Sequence, residues 1–429
     1  MNRISDFLAN KLPFFYGYLI LLVAIAAQFG SSPGQTYAIS VFSPHLEAGL
    51  GLSKSALSAA YMLGTLLAAL PLTLIGPLSD RIGIRGTVIG VAAGLVSACM
   101  AASQVQGFFS VLLVFLLLRF LGQGAMTLLA GNMVSMWFHR RLGTMNAIMC
   151  AGSATAFAIV PVVLQSYIEG AGWRAAFVAQ GVVLGLLLLP ALVLIYRNNP
   201  QEVRQHFDGD QAESGSLPDH ESSASSDAAE SSALFLDERT LGEAIRNRTF
   251  WILAADMCFW AMIGTGLVFH SQAIFAQFGV TPTQTQAMFP IFSASMLVAQ
   301  LAGGPLADRV PMHYLLGVAF FVLAIGAASI PIAAGVAAVY LFAVLFGAGQ
   351  GLAISVTATM WARYYGRRHL GKIRGAVWCL TVAGSGCGPL ILGSISDATG
   401  SFVVGLWIFT GLLIPLAPLS LLATPLPKR

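Results

Sequence analysis

The chain has 429 residues, of which 57% are apolar and only 9% charged, with a net charge of +4. Soluble domains carry about 25% charged residues, so this composition excludes a water-facing globular surface and makes lipid the main solvent. A nucleic-acid surface is excluded as well: apart from Lys54, Arg119 and Arg174, the Lys and Arg residues fall at the termini and in alternate loops, with no contiguous basic face.

Residues 1–12 form a short polar lead with Arg3 and Lys11, and the apolar run after Phe14 is long enough to span, so no cleaved leader is expected. Apolar stretches then fall at 15–43, 55–79, 87–105, 108–137, 144–168 and 174–196. Each matches or exceeds the ~20 residues that cross a bilayer as a helix. Residues 197–248 turn polar, and 211–232 are rich in Ser, Ala, Asp and Glu. Such a segment buries too little apolar area to order itself. It predicts a linker, partly disordered, with an amphipathic surface helix over 234–248. A second set of stretches follows at 250–277, 284–307, 313–331, 336–362, 374–396 and 402–424.

The expected fold is therefore an all-α membrane protein of twelve transmembrane helices: a six-helix bundle at 1–196, a cytoplasmic linker at 197–248 and a second six-helix bundle at 249–429. The basic residues of alternate loops place both termini in the cytoplasm by the positive-inside rule, in a multi-pass protein of the cell (inner) membrane. Cys99, Cys150, Cys258, Cys379 and Cys387 all lie in apolar segments without metal-ligand spacing. There is no phosphate-cradling loop and no enzyme constellation, so neither a metal, a cofactor nor a catalytic activity is expected.

The two sets of stretches repeat one another. Gly76-Pro77-Leu78-Ser79-Asp80-Arg81 recurs as Gly304-Pro305-Leu306-Ala307-Asp308-Arg309, and Gly122-Gln123-Gly124 recurs as Gly349-Gln350-Gly351. Leu142-Gly143 matches Leu370-Gly371, Pro161 matches Pro389 and Gly51 matches Gly279, all at nearly one spacing. With an even number of spans in each set, the repeat is parallel rather than inverted.

The loop Gly76 to Arg85, with Asp80-Arg81, Gly83 and Arg85, resembles the signature of the major facilitator superfamily, and its partial copy at Asp308-Arg309 fits the same pattern. Within that superfamily the chain is most similar to the monocarboxylate and oxalate/formate transporter branch. The stretches that carry this are Arg119 to Gly124, Trp137-Phe138, Gly172-Trp173-Arg174, Phe269-His270 and Asn199 to Val203 followed by Asp208-Gly209. The resemblance implies a secondary transporter, a monomer, whose halves are related by an axis along the membrane normal and rock about a mid-membrane solute site. It further implies a gating role for Gly76, Asp80, Arg81, Gly83, Arg85, Asp308 and Arg309, a small organic anion as solute, and protons as coupling ion. Spans eight and eleven lack an interior cation, which favours an alternative, proton-coupled export of apolar or amphipathic compounds. A third reading is a non-transporting membrane sensor.

Ionisable groups inside spans are costly and so need a partner or a task. Arg119 lies within an otherwise apolar run; it either meets an anion or proton pathway, or packs against helix carbonyls to position the fourth span. Asp256 is the acid deepest in a span and a possible proton carrier, unless it pairs near the interface. His270 is a proton carrier or anion donor on one reading and a hydrogen-bonded structural residue on the other. Gln35, Tyr37, Gln123, Asn146, Gln350 and Trp378 are polar or aromatic positions expected to face the bundle interior, and some of them a cavity.

Overall fold

Backbone N–H and C=O groups in hydrocarbon must bond within their own segment, which leaves helices as the form for isolated apolar stretches of this length. A computed structural model describes residues 14–72, 74–138, 141–203, 205–206, 239–333, 335–365 and 370–424, and its regular structure is helical throughout. Twelve of these helices are long and apolar enough to cross a membrane. They are α1 (Gly17–Leu50), α2 (Lys54–Leu72), α3 (Arg81–Ala102), α4 (Phe108–Ser135), α5 (Ile148–Ala171) and α6 (Trp173–Leu194). The second half holds α7 (Arg248–Phe269), α8 (Pro282–Ala307), α9 (Met312–Ile332), α10 (Val336–Thr357), α11 (Ile373–Thr399) and α12 (Val403–Leu421).

The repeat in sequence is a repeat in packing. In the first half α1 packs on α5, α2 on α4 and α3 on α6; in the second, α7 packs on α11, α8 on α10 and α9 on α12. Turn chemistry repeats too. Gly51 and Gly279 both take positive φ, and so do Gly172 and Gly400, at the same spacing. Only glycine enters that region without strain.

Several helices are less regular than the apolar pattern predicts, α6 among them with a π-helical stretch at Leu184–Leu188. α1 breaks at mid-span: Gly17–Gly30 is α-helical, Ser32–Gly34 is a 3₁₀ turn, Gln35 is extended and Thr36–Leu50 resumes the helix. The break lies against a π-helical stretch of α4, Arg119–Met126. The backbones nearly touch there, since a Cβ on Gly34 would lie 2.1 Å from the Leu118 carbonyl oxygen. The helix of α3 begins at Ile75 and kinks at Gly83, where φ is 82°.

The linker reaches α7 differently from the expectation. Gln205 accepts from the Tyr16 N–H, and Arg239 donates its N–H to the Tyr365 carbonyl. In place of a surface helix over 234–248, the described part holds a single turn, Leu241–Ala244, capped by Thr240 and Glu243. Asn247 then caps α7 afresh. Residues 207–238, the acidic Ser-rich stretch, lie outside the described residues.

The halves meet along α2 with α11, α5 with α8, and the second part of α1 with α7. Among the described residues, the side-chain hydrogen bonds between the halves gather toward the ends of these helices away from the linker, called here the far face.

Candidate functional site

The seam at the far face is built from small residues and side-chain bonds. Gly386 and Gly393 let α11 approach α2; a Cβ on Gly393 would sit 3.1 Å from both the Lys54 carbonyl oxygen and Ser58 Oγ. Across this approach Lys54 Nζ donates to Ser396 Oγ (3.1 Å), and the Ser55 N–H, in the first turn of α2, donates to Asp397 Oδ2 (2.8 Å). A carboxylate at a helix N-terminus also interacts favourably with the helix dipole. The second arm of the seam pairs Gln272 with Gln165 (2.7 Å) and Thr283 with Glu169 (3.4 Å). It ends at Ser293, which donates to the Ala154 carbonyl (2.7 Å).

Beyond these contacts a cavity of ≈ 740 Å³ lies between the halves, and its lining reaches Cys150, Leu301 and Trp378 near the linker ends of α5, α8 and α11. Its first-half wall is polar: Gln28, Gln35 and Gln123 with Ser31, Thr36 and Thr127. Its second-half wall carries Trp260, Phe292, Met296 and Trp378, interrupted by Thr265, Gln300, Gln350, Thr381 and Ser385. Toward the far face the floor is aromatic. Phe157 contacts Tyr37, Phe289 and Phe292 at ring separations of 5.2, 5.2 and 5.3 Å. Among the described residues, no Asp, Glu, Lys, Arg or His lines this cavity.

Of the residues singled out from sequence, Gln35, Tyr37, Gln123, Gln350 and Trp378 do line the cavity. The charged candidates do not. Arg119 is buried behind the first-half wall. Its Nε donates to Thr65 Oγ1 (3.0 Å), and its Nη1 to the Gly34 carbonyl (3.2 Å) and Thr36 Oγ1 (3.4 Å). Its guanidinium also stacks 4.9 Å from the centre of the Tyr61 ring. The break in α1 frees the Gly34 carbonyl for this donor from α4. Asp256 is fully buried and turned away from the cavity toward α12, where Ser420 Oγ donates to its Oδ2 (3.0 Å). Its side-chain bond is to Ser420 and not to a linker arginine among the described residues. His270 lies in the far-face seam. Its Nε2 is 3.1 Å from Ser58 Oγ of the first half and 3.0 Å from the Pro389 carbonyl of the second. A carbonyl only accepts, so Nε2 carries the proton, and Nδ1 has no partner.

The loop motif is anchored within its own half. The Arg85 N–H donates to Asn198 Oδ1 (2.8 Å), and its guanidinium to the Val193 carbonyl, tying the segment after Gly83 to the end of α6. Arg81 and Arg309 are exposed at the linker face, and a Cβ on Gly76 would meet nothing within 4 Å. The side chains of Asp80, Asn146 and Asp308 lie outside what the structure describes.

Sequence reasoning missed Gln28, Thr36, Trp260, Phe292 and Gln300 as cavity residues. For Gln28 and Gln300 the signal was the one that marked Gln35, a lone amide in an apolar run. For Trp260 and Phe292 there was none, since an aromatic facing lipid reads the same.

Comparison with known proteins fits this geometry. The model of the Major Facilitator Superfamily matches residues 20–277 and 262–429. The "MFS-type transporter eupM" of Phoma sp is 27% identical over 185 residues, covering 42% of this chain and 64% of that protein. "MFS-type transporter 1" of Ophiocordyceps sp. is 23% identical, covering 69% of this chain and 60% of its own length. The "Fujikurins efflux protein" of Gibberella fujikuroi is 29% identical, covering 30% and 28%. The chain thus spans less than two thirds of the length of the curated relatives it matches. Among solved structures, a bacterial homolog of the human lysosomal transporter Spinster, in an inward-facing and unoccupied conformation, superposes with a TM-score of 0.71 at 16% identity. That match covers 95% of this chain and 97% of the other. Since the family model takes in both halves and the cavity between them, the chain belongs to the Major Facilitator Superfamily.

Proposed function

We propose that this chain is a secondary transporter that exports uncharged, amphipathic compounds across the cell membrane, driven by protons and working by alternating closure at its two faces. The observation that carries the reading is the ≈ 740 Å³ cavity whose described wall offers amides, hydroxyls and aromatic rings but no charge. A free carboxylate entering such a site would give up its hydration, at several kcal/mol, without a cation to replace it. An apolar body with a few polar groups loses little and gains contact with Trp260, Phe292 and Trp378. In this reading the linker face, which carries Arg81, Arg85, Arg141, Arg197 and Arg309, is cytoplasmic by the positive-inside rule. The cavity then opens to the cytoplasm, where an exporter loads. Export is also the activity named for the Gibberella relative. For discharge the far-face seam has to part, and His270 sits in that seam with an unpartnered Nδ1 able to take a proton when it does.

A second reading, transport of a small organic anion as in the monocarboxylate branch, is favoured by one observation. Arg119 is bonded to no carboxylate among the described residues and lies directly behind Thr36 on the cavity wall. Proteoliposomes with an imposed pH gradient separate the two. Uncharged amphipathic dyes should be moved when the gradient is applied and not when it is collapsed, while benzoate, lactate and oxalate remain where they were. Gradient-dependent movement of the carboxylates without the dyes would establish the second reading instead.

A further inference from the structure

We infer that the cavity selects solutes bearing a carboxamide, lactam or imide group on an aromatic or aliphatic body. This rests on reading the cavity as the transport site and names what that site recognises. Five glutamines reach it, Gln28, Gln35 and Gln123 from the first half and Gln300 and Gln350 from the second. A carboxamide presents a donor and an acceptor side by side. The groups that satisfy both at once carry the same pair on one edge in reverse, as a primary carboxamide, a lactam or an imide does. A carboxylate offers only acceptors, an ammonium only donors, and an ester lacks the donor.

These amides are open for the purpose. Gln28 is only 6% exposed, faces the cavity, and makes no side-chain hydrogen bond among the described residues. Gln123 and Gln300 make none either, and Gln350 has only a long contact to the Met296 sulfur at 3.6 Å. Gln35 spends its Nε2 on Ser31 and Thr127, which leaves Oε1 as an acceptor. A buried amide left without a partner is costly, so an apolar ligand that only filled the space would strand these groups. Gln123 and Gln350 occupy matching positions of α4 and α10, so amides meet the solute from both halves. Trp260, Phe292, Met296 and Trp378 supply the surface for its apolar body.

Cys150 is exposed on the cavity wall and reports occupancy. Purified full-length protein is treated with methyl methanethiosulfonate, a small neutral reagent, and modification at Cys150 is read by peptide mass spectrometry. The probes are diphenylacetamide, its ester analogue methyl diphenylacetate, 2,2-diphenylethylamine and diphenylacetate. The amide should protect Cys150 at concentrations about tenfold or more below those of the other three, the loss expected for one unmatched hydrogen bond. Gln28→Leu and, separately, Gln123→Leu should bring amide and ester to within about twofold of one another, in protein that stays monodisperse and melts as the parent does. Equal protection by ester and amide, protection by the carboxylate at the amide's concentration, or no protection by the amide overturns the inference while leaving the cavity reading standing. If the reagent never reaches Cys150, the open cavity itself is wrong.

Discussion

A guanidinium inside an apolar helix has to find its partners within the protein, and Arg119 finds them where α1 is broken. Its bonds to the Gly34 carbonyl, Thr36 and Thr65 hold three helices together. Arg119→Met leaves the Gly34 carbonyl and Thr65 Oγ1 without this donor, at about 1–3 kcal/mol each, while Thr36 keeps its bond to Tyr61. The variant should melt at a lower temperature in a thermal-shift assay yet still admit methanethiosulfonate to Cys150. Unchanged melting, combined with loss of anion uptake, would instead make Arg119 a solute contact. From sequence, the presence of a buried cation here was legible, and so were its two possible tasks. Which task it has depends on the unwound Gly34, which supplies the acceptor. Asp256 and His270 were legible as buried ionisable groups, but not their directions. Helix α7 is apolar on every face, so its pattern marks no side as cavity, seam or core.

At the scale of elements, all twelve spans were legible because each is a long apolar run bounded by polar residues. Their irregularities were less so. Ser31-Ser32-Pro33-Gly34 is a turn-forming sequence inside the first apolar run, and the structure breaks α1 there. The π-helical stretch of α4 has no such mark; it forms where Gly34 and Gly122 bring two backbones together. A methyl group at Gly34 would fall 2.1 Å from one backbone oxygen and 2.7 Å from the Gln123 nitrogen, neither of which can rotate away. Gly131, further along α4, has nothing within 4 Å of an added Cβ. Gly34→Ala should therefore lose several kcal/mol or fail to fold, as overpacking against a rigid neighbour does. Gly131→Ala should be neutral or gain up to about 1 kcal/mol from helix propensity. Melting temperatures of the two variants in one detergent check the contrast, and similar values would mean that α1 and α4 do not meet as described.

For the whole molecule, the internal repeat foretold two like halves, and the matching helix pairs within each half agree with it. It could not foretell which face is closed, because two bundles related by one axis can tilt either way about it. That choice lies in the far-face seam, in Ser55–Asp397, Lys54–Ser396, Gln165–Gln272 and the glycine approach of α11 to α2. The measurement that bears most directly on rocking halves is a pair of distances in one protein. Spin labels at the exposed Ile82 and Val310 report the linker face, and labels at the exposed Gln106 and Ala337 report the far face. Gly393→Val wedges the seam, since even its first carbon meets Lys54 and Ser58 at 3.1 Å. In pulsed electron double resonance the variant should lengthen the far-face distance and shorten the linker-face distance together. A far face that widens while the linker-face pair stays where it was would mean the halves do not move as two bodies about the cavity.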